Sequence, residues 1–195
     1  MEESQIFQYI QNMDIYLIDQ IMKQKYKRSD RILDAGCGEG RNLRWFAGFD
    51  YNIWGIDMDL ERLRLAKEIF PKLQARLMPA KLSEIPFPDA HFDHIICSAV
   101  LHFAEDENHF YRMFSELIRV LKPTGSIFIR TASNIGLLKA TVELSDSYND
   151  RKAGYYLDRE TISQLINKYD LKLLEPVKTT NVQDIRAMST LVLQK

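Results

Sequence analysis

The chain has 195 residues, of which 46% are hydrophobic, and its 26 Lys and Arg against 27 Asp and Glu give a formal net charge of -1. This composition is typical of one globular domain, and the near-zero charge argues against broad nucleic-acid binding. No apolar run reaches the roughly 20 residues of a membrane helix, and no basic-then-apolar leader opens the chain. The two cysteines, Cys37 and Cys97, suit neither a disulfide framework nor a zinc site. We therefore expect a cytoplasmic protein without membrane contacts.

Apolar residues recur three and four positions apart through residues 1–30, which predicts one amphipathic helix that caps the domain. They are Ile6, Tyr9, Ile10, Met13, Leu17 and Ile21. This cap covers either a ligand, through Tyr9 or Tyr16, or only an edge of a sheet.

Short apolar runs alternate with helical patterns over residues 31–130, the predicted ligand-binding core. Strands are predicted over 31–35, 51–56, 75–78, 94–100 and 126–130. A helix is predicted near residue 41, and others follow Asp59 and Asp106, which are suited to N-cap positions. Residues 79–93 contain three prolines and are predicted to form a loop. Such alternation indicates a doubly wound α/β fold, with a parallel sheet between two layers of helices.

The last third of the chain begins with the irregular polar segment 131–157, predicted to be a variable lid that selects the substrate. In the closing segment, 158–195, Asp158 is suited to cap a helix that ends at Tyr169. Strands over 171–177 and 189–193 follow with no room for a crossover helix, so they should pair antiparallel. The prediction is a single domain over 1–195. Its sheet is Rossmann-like, seven-stranded and mostly parallel, with an antiparallel terminal hairpin, in a three-layer α/β/α arrangement.

The motif with the clearest chemistry is the glycine cluster ILDAGCGEG at residues 32–40. Its three glycines allow the backbone to approach a ligand closely, and a helix that begins at Gly40 or Arg41 would favour an anion. Asp57 follows Gly40 by seventeen residues, where an acid accepts hydrogen bonds from ribose hydroxyls in βαβ units. Arg41 occupies the position of the third glycine in a dinucleotide fingerprint. Asp34 would repel a pyrophosphate but suits a cationic ligand.

These motifs resemble those of the class I S-adenosylmethionine-dependent methyltransferases. The cluster and the later Gly-Ile-Asp are similar to the family's motif I and its acidic partner. IPFPD at 85–89, FDHIIC at 92–97 and LIRVLKP at 117–123 are similar to its loop, fourth strand and pre-strand turn. The resemblance covers residues 31 to 130 and resumes from Tyr155. It implies a methyltransferase with S-adenosylmethionine as cofactor and S-adenosylhomocysteine as product. Because nothing in this compact chain is large or basic enough for a separate recognition domain, we expect a small-molecule acceptor.

The resemblance also implies roles for the matching residues. Asp34 would meet the methionyl amino group, Asp57 the ribose hydroxyls, and Met58 the adenine face. Backbone groups would complete the site, at Gly36, Cys37, Gly38 and Gly40 along the methionyl and ribose moieties, at Leu82 on the adenine edge, and at Ser98 near the ammonium. One departure is Lys81, which stands where the family often has an acid. Lys81 cannot accept a hydrogen bond from the adenine amino group.

Methyl transfer from a sulfonium depends on orientation, and a general base helps only when the acceptor is protonated. His102, after the fourth strand, and Tyr155, before the last helix, are the candidate acceptor-pocket residues. Both positions are also explained by packing or by anchoring of the lid. Arg186, near the final turn, would meet an anionic substrate or lie in solvent. The segments after the fourth and fifth strands lack the acids that metal-dependent members use, so we expect no metal.

Two alternatives stay open at this point. One is a nicotinamide-dependent oxidoreductase of the same fold, against which Arg41 argues. The other is a non-catalytic relative that keeps the cofactor as a sensor or scaffold, which Lys81 and the lack of an evident base allow. Neither the acceptor nor the oligomeric state follows from the sequence.

Overall fold

Two short helices open the chain in a computed structural model that describes residues 3–137, 154–184 and 186–195. They are α1 (Glu3–Ile10) and α2 (Ile15–Met22), so the prediction of one helix through the first thirty residues is wrong. The backbone turns at Asn12, whose φ of 62° lies in the left-handed region. Asp14 then caps α2 by accepting a hydrogen bond from the Tyr16 N–H at 3.0 Å. Asn and Asp favour such turns and caps over a helix interior.

The elements that follow alternate along the chain as predicted. The strands are β1 (Ile32–Ala35), β2 (Ile53–Asp57), β3 (Leu77–Pro79), β4 (Phe92–Ser98), β5 (Leu121–Ser133), β6 (Lys172–Leu173), β7 (Lys178–Val182) and β8 (Arg186–Gln194). The helices are α3 (Leu43–Gly48), α4 (Leu60–Ile69), α5 (Glu107–Val120) and α6 (Arg159–Tyr169), with 3₁₀ turns at Pro71–Arg76 and Leu101–Phe103. The predicted cap residues are confirmed, since Asp59, Asp106 and Asp158 each accept backbone N–H bonds from the first turn of their helix.

The sheet has the strand order β3-β2-β1-β4-β5-β8-β6, and β7 pairs with the other end of β8. Strands β1 to β5 are parallel, and β8 runs antiparallel to β5, β6 and β7. This confirms the predicted fold class and the antiparallel end. The structure has one strand more than the predicted seven, β7. The prediction missed it because its sequence, KTTNV, lacks the apolar run that marks a strand core. It also extends β5 to Ser133, since β8 pairs along it from Ser126 onward.

Apolar side chains alternate between the two faces of the sheet, as expected for a central sheet in three layers. In β5, Ile127 and Ile129 face the layer that contains α5 and α6, whereas Phe128 faces the layer that contains α2, α3 and α4. In the described ranges, none of the helices combines the length and apolar character needed to cross a bilayer.

The direction of strand order reverses between β1 and β4, and their carboxyl ends lie side by side. In doubly wound sheets a ligand binds in the crevice at this switch point. The glycine cluster leaves β1 there, and Ser98 ends β4 there. Of the predicted lid segment, residues 138–153 lie outside the described ranges. Its last part is tied to the sheet by hydrogen bonds between Leu157 and the backbone of Ala132 and Asn134.

Candidate functional site

The glycine loop turns sharply away from β1 and is pressed against its neighbours. Gly36, Gly38 and Gly40 all have positive φ values, of 80°, 53° and 84°. A Cβ on Gly36 would lie 2.3 Å from a methyl group of Val100, so only glycine fits there. The N–H groups of Gly36 and Cys37 both donate to the Ile56 carbonyl, at 2.8 and 2.9 Å. The loop therefore allows a ligand to come close to its backbone, but the N–H groups of Gly36 and Cys37 are already bonded to Ile56.

The helix after this loop starts later than expected. Helix α3 begins at Leu43 rather than at Gly40 or Arg41, and it has only 6 residues. The Gly40 N–H donates to the Cys37 carbonyl at 2.9 Å. The predicted anion site at the helix N-terminus is therefore not supported, and the chemistry of the loop depends on the side chains around it.

Asp57 ends β2 opposite the loop and holds its conformation. One carboxylate oxygen accepts the Gly38 N–H at 2.7 Å, and the other accepts the Asp59 N–H at 2.9 Å. Each oxygen keeps lone-pair capacity, because a carboxylate oxygen can accept more than one hydrogen bond. The side chain is half-buried, so it can still meet hydroxyl donors from the crevice.

Asp34 is the second acid and is only 1% exposed. Its Oδ2 has no hydrogen-bond partner among the described residues. Burial raises the pKa of this carboxyl to about 7, the Arg41 guanidinium opposes that rise, and the Asp57 carboxylate adds to it. A buried, unpartnered carboxylate oxygen beside a loop with room only for glycine indicates a binding site for a cationic group.

A polar network closes one side of the crevice. Arg41 donates from Nη2 to the Ser98 hydroxyl at 3.1 Å, and that hydroxyl donates to Asp14 Oδ2 at 2.6 Å. The same Asp14 oxygen lies 3.4 Å from Nη1 of Arg130 on β5. Asp14 is buried, and its own N–H donates to the Asn42 side chain at 3.2 Å. The network thus joins the start of α2 to the carboxyl end of β4 and to Arg130, which pairs in register with that end on β5.

Sequence reasoning missed Asp14, Arg130 and the full role of Arg41. A usable signal for Asp14 was the Asn-Met-Asp triplet at 12–14, which places two turn-forming residues inside the apparent helix. A signal for Arg130 was its position directly after the apolar run 127–129, where the predicted strand ends.

The two candidate acceptor-pocket residues are brought together through the backbone. The His102 carbonyl accepts N–H bonds from Gly154 at 2.8 Å and from Tyr155 at 3.2 Å. The Tyr155 ring, however, stacks on Phe110 with centroids 4.3 Å apart, and its hydroxyl lies 3.1 Å from that of Thr161. The side chain of Tyr155 therefore anchors the segment after the lid to the core.

The His102 ring packs against β5. Its Nδ1 is 3.5 Å from both the Ala132 N–H and the Thr131 hydroxyl. Burial and the nearby Arg186 cation lower the pKa of His102 to about 4, so the ring is neutral at neutral pH. A backbone N–H can only donate, so Nδ1 accepts and the ring proton lies on Nε2.

The remaining predicted contacts lie around Asp57 and the loop. Met58 is 69% exposed, as a surface for a planar ring would be, and Leu82 is buried. The Cys37 thiol is buried against Gly55, and burial raises its pKa, so it acts as an apolar packing group. Tyr9 packs on Phe49 of the α3 end, away from the crevice. In the described parts of the chain, no three His, Cys, Asp or Glu side chains gather as a metal site would require.

Comparison with known proteins agrees with this arrangement. Residues 33–129 match the family model described as a methyltransferase domain. The chain belongs to the class I S-adenosylmethionine-dependent methyltransferases. S-adenosylmethionine is the cofactor of this family, and the site fits it, since the orphaned Asp34 oxygen and the glycine loop suit its ammonium group and ribose.

The curated relatives cover different shares of the chain. A probable S-adenosylmethionine-dependent methyltransferase of Mycolicibacterium smegmatis is 31% identical over 104 residues, which are 53% of this chain and 38% of that protein. An uncharacterised protein of Methanocaldococcus jannaschii is 30% identical over 157 residues, 79% of this chain and 58% of its own length. This chain therefore spans less than two thirds of either relative.

Among solved structures, a SAM-dependent methyltransferase of Methanosarcina mazei superposes with a TM-score of 0.73. The alignment covers 90% of this chain and 96% of that one, at 22% sequence identity. At this identity the likeness is one of fold.

Proposed function

We propose that this chain transfers a methyl group from S-adenosylmethionine to a small-molecule acceptor. The observation that carries the proposal is the pair of acids on either side of the glycine loop, at the switch point of the sheet. Asp34 has a buried oxygen without a partner, and Asp57 faces it across Gly38. The cofactor, when bound, supplies a methyl carbon on a sulfonium sulfur, which departs as a neutral thioether when an acceptor lone pair attacks that carbon.

The residues of this chain bind and orient. In the proposal, Asp34 accepts hydrogen bonds from the methionyl ammonium, and Asp57 accepts them from the ribose hydroxyls while it holds Gly38. Met58 offers its exposed side chain to the adenine face, and Leu82 offers its backbone to the adenine edge. The Ser98 carbonyl lies near the ammonium. Orientation of this kind can lower the barrier by roughly 7–11 kcal/mol without a metal or a covalent intermediate.

His102 has a different role from the base that its position first suggests. With Nδ1 facing the Ala132 N–H, the ring presents its Nε2–H and acts as a hydrogen-bond donor. A pKa of about 4 also makes it a weak base. We infer that the acceptor atom reacts unprotonated, or that it loses its proton to water.

Calorimetric titration with S-adenosylhomocysteine tests the cofactor site directly. Asp57→Ala should weaken binding by about tenfold or more, because hydrogen bonds to a charged group are worth about 1.5–3 kcal/mol each. Asp59→Ala, two residues later, is the matched control, because the Asp59 carboxylate caps α4 and lies 3.9 Å from Arg62. Failure of the wild-type protein to bind at millimolar concentration would reject the proposal, as would saturable NADH binding in its place.

A further inference from the structure

Arg130 is an incompletely paired guanidinium at the edge of the crevice. It lies on β5, three residues before the end of that strand, in register with Ser98, the last residue of β4. Its guanidinium carbon lies 5.5 Å from the ring centroid of Tyr16 on α2, in cation–π contact. Its one hydrogen bond within the described residues joins Nη1 to Asp14 at 3.4 Å, which is long for a charged pair.

The donors of Arg130 exceed the acceptors around it. A guanidinium carries five N–H donors in a planar fork. The Nε–H is buried and has no acceptor in the described ranges, although the side chain as a whole is 20% exposed. Buried polar groups normally have hydrogen-bond partners, because an unpaired donor loses its hydrogen bonds to water and gains none in their place. The described residues therefore leave guanidinium donors of Arg130 unpaired, and an anionic ligand would reach the exposed part of the side chain rather than the enclosed Nε–H.

The surrounding charges favour an anionic ligand. Asp14 already accepts from the Ser98 hydroxyl and the Tyr16 N–H, so it neutralises Arg130 only in part. Two further cations lie near the crevice: Arg41, which donates to the Ser98 hydroxyl, and Arg186, which is close enough to lower the pKa of His102. A carboxylate also matches the planar fork of a guanidinium.

We propose that Arg130 binds a carboxylate group of the acceptor, and hence that the acceptor is a small organic acid. This inference rests on the proposed methyltransferase function. Arg130 would then be a specificity-determining residue that anchors the acid end of the substrate beside the crevice. The Tyr16 ring packs against the face of the guanidinium, and the hydrogen bond to Asp14 orients it.

The test uses the full chain loaded with S-adenosylhomocysteine and three matched probe pairs. The pairs are acetate with acetamide, phenylacetate with phenylacetamide, and indole-3-acetate with its primary amide. Binding is measured by calorimetry and by ligand-observed NMR. At least one acid should bind the wild-type complex about tenfold or more tightly than its amide, the size expected for a charge-assisted bidentate contact. Phosphate is included as the dianion.

Arg130→Gln should abolish the preference for the acid, and Arg130→Lys should reduce it, since Lys keeps the charge but lacks the fork. Arg112→Gln, which removes an exposed arginine from α5, is the matched control and should keep the preference. Arg130→Lys also covers the case in which Arg130→Gln fails to fold. The absence of an acid preference in every pair, its survival in both Arg130 variants, or tighter binding of phosphate would overturn the proposal.

The two proposals fail in distinguishable ways. The titration with S-adenosylhomocysteine precedes the probe experiment for every variant. A wild-type protein that does not bind it refutes the methyltransferase proposal. Normal cofactor binding without any preference for the acids refutes only the role of Arg130.

Discussion

Replacement of Asp34 by Asn should stabilise the protein without ligand and abolish its cofactor binding. The two side chains are nearly the same size, but only Asp can ionise. Burial raises the pKa of Asp34 from its ordinary value of 3.8 to about 7 in the folded protein. The folded state therefore binds this proton more tightly than the unfolded state does. The stability of the wild-type protein is highest below the unfolded pKa, falls as pH rises towards 7, and is level above it.

The size of the effect follows from that difference in pKa. Each tenfold change in proton affinity corresponds to about 1.4 kcal/mol. At about pH 8, where Asp34 is ionised, its burial should therefore lower the free energy of unfolding by roughly 4 kcal/mol. At about pH 5, where Asp34 is protonated in the folded state but mostly ionised in the unfolded state, the reduction should be roughly 2 kcal/mol. The Asn variant carries no such cost, so its advantage over wild type should grow with pH across this window.

Urea denaturation at several pH values between these limits measures the effect. Asp50→Asn, which removes a carboxylate from an exposed position, controls for the change in net charge. Titration with S-adenosylhomocysteine then gives the functional consequence, a loss of binding through the missing partner for the ammonium. An equal stability difference at both ends of the pH range would refute the reasoning on Asp34. So would normal cofactor affinity in the Asn variant.

Two further substitutions test the loops that border the crevice. Gly36→Ala places a Cβ 2.3 Å from a Val100 methyl at a φ of 80°, whereas Gly136→Ala meets no atom within 4 Å at a φ of 79°. In denaturation, the first should cost about 2 kcal/mol or more and the second about 1 kcal/mol, and equal costs would contradict the crowding argument. Arg119→Lys removes two donors from carbonyls of the proline-rich loop. It should cost about 2 kcal/mol, against little change for Arg112→Lys on the exposed face of the same helix.

Much of the cofactor half could be predicted because its signals are local. The helix caps act within one helical turn, so a short stretch of sequence is enough to recognise them, as at Asp59, Asp106 and Asp158. The glycine loop likewise depends on backbone conformation over a few residues. The positions of Asp34 and Asp57 at neighbouring strand ends follow from the alternation of strands and helices, since a parallel sheet aligns its carboxyl ends.

The first thirty residues and the last strands were harder to predict because their structure depends on distant partners. The apolar period of residues 6–21 continues through the turn at Asn12, so the break leaves no gap in the pattern. Strand β7 is polar and only partly buried, and it forms because β8 offers it an edge. For β7, a tertiary contact outweighs the local preference.

The sequence by itself determined the layered α/β fold, the glycine loop and the two acids that flank it, because each depends on patterns among residues close together in the chain. Only the tertiary structure decided how the crevice is closed. The Ser98 hydroxyl reaches Asp14 across 84 positions of sequence, and Arg130 reaches it across 116. No periodicity or short motif encodes pairs at such separations. They exist because folding brings the start of α2 onto β4 and β5, where buried charges require one another as partners.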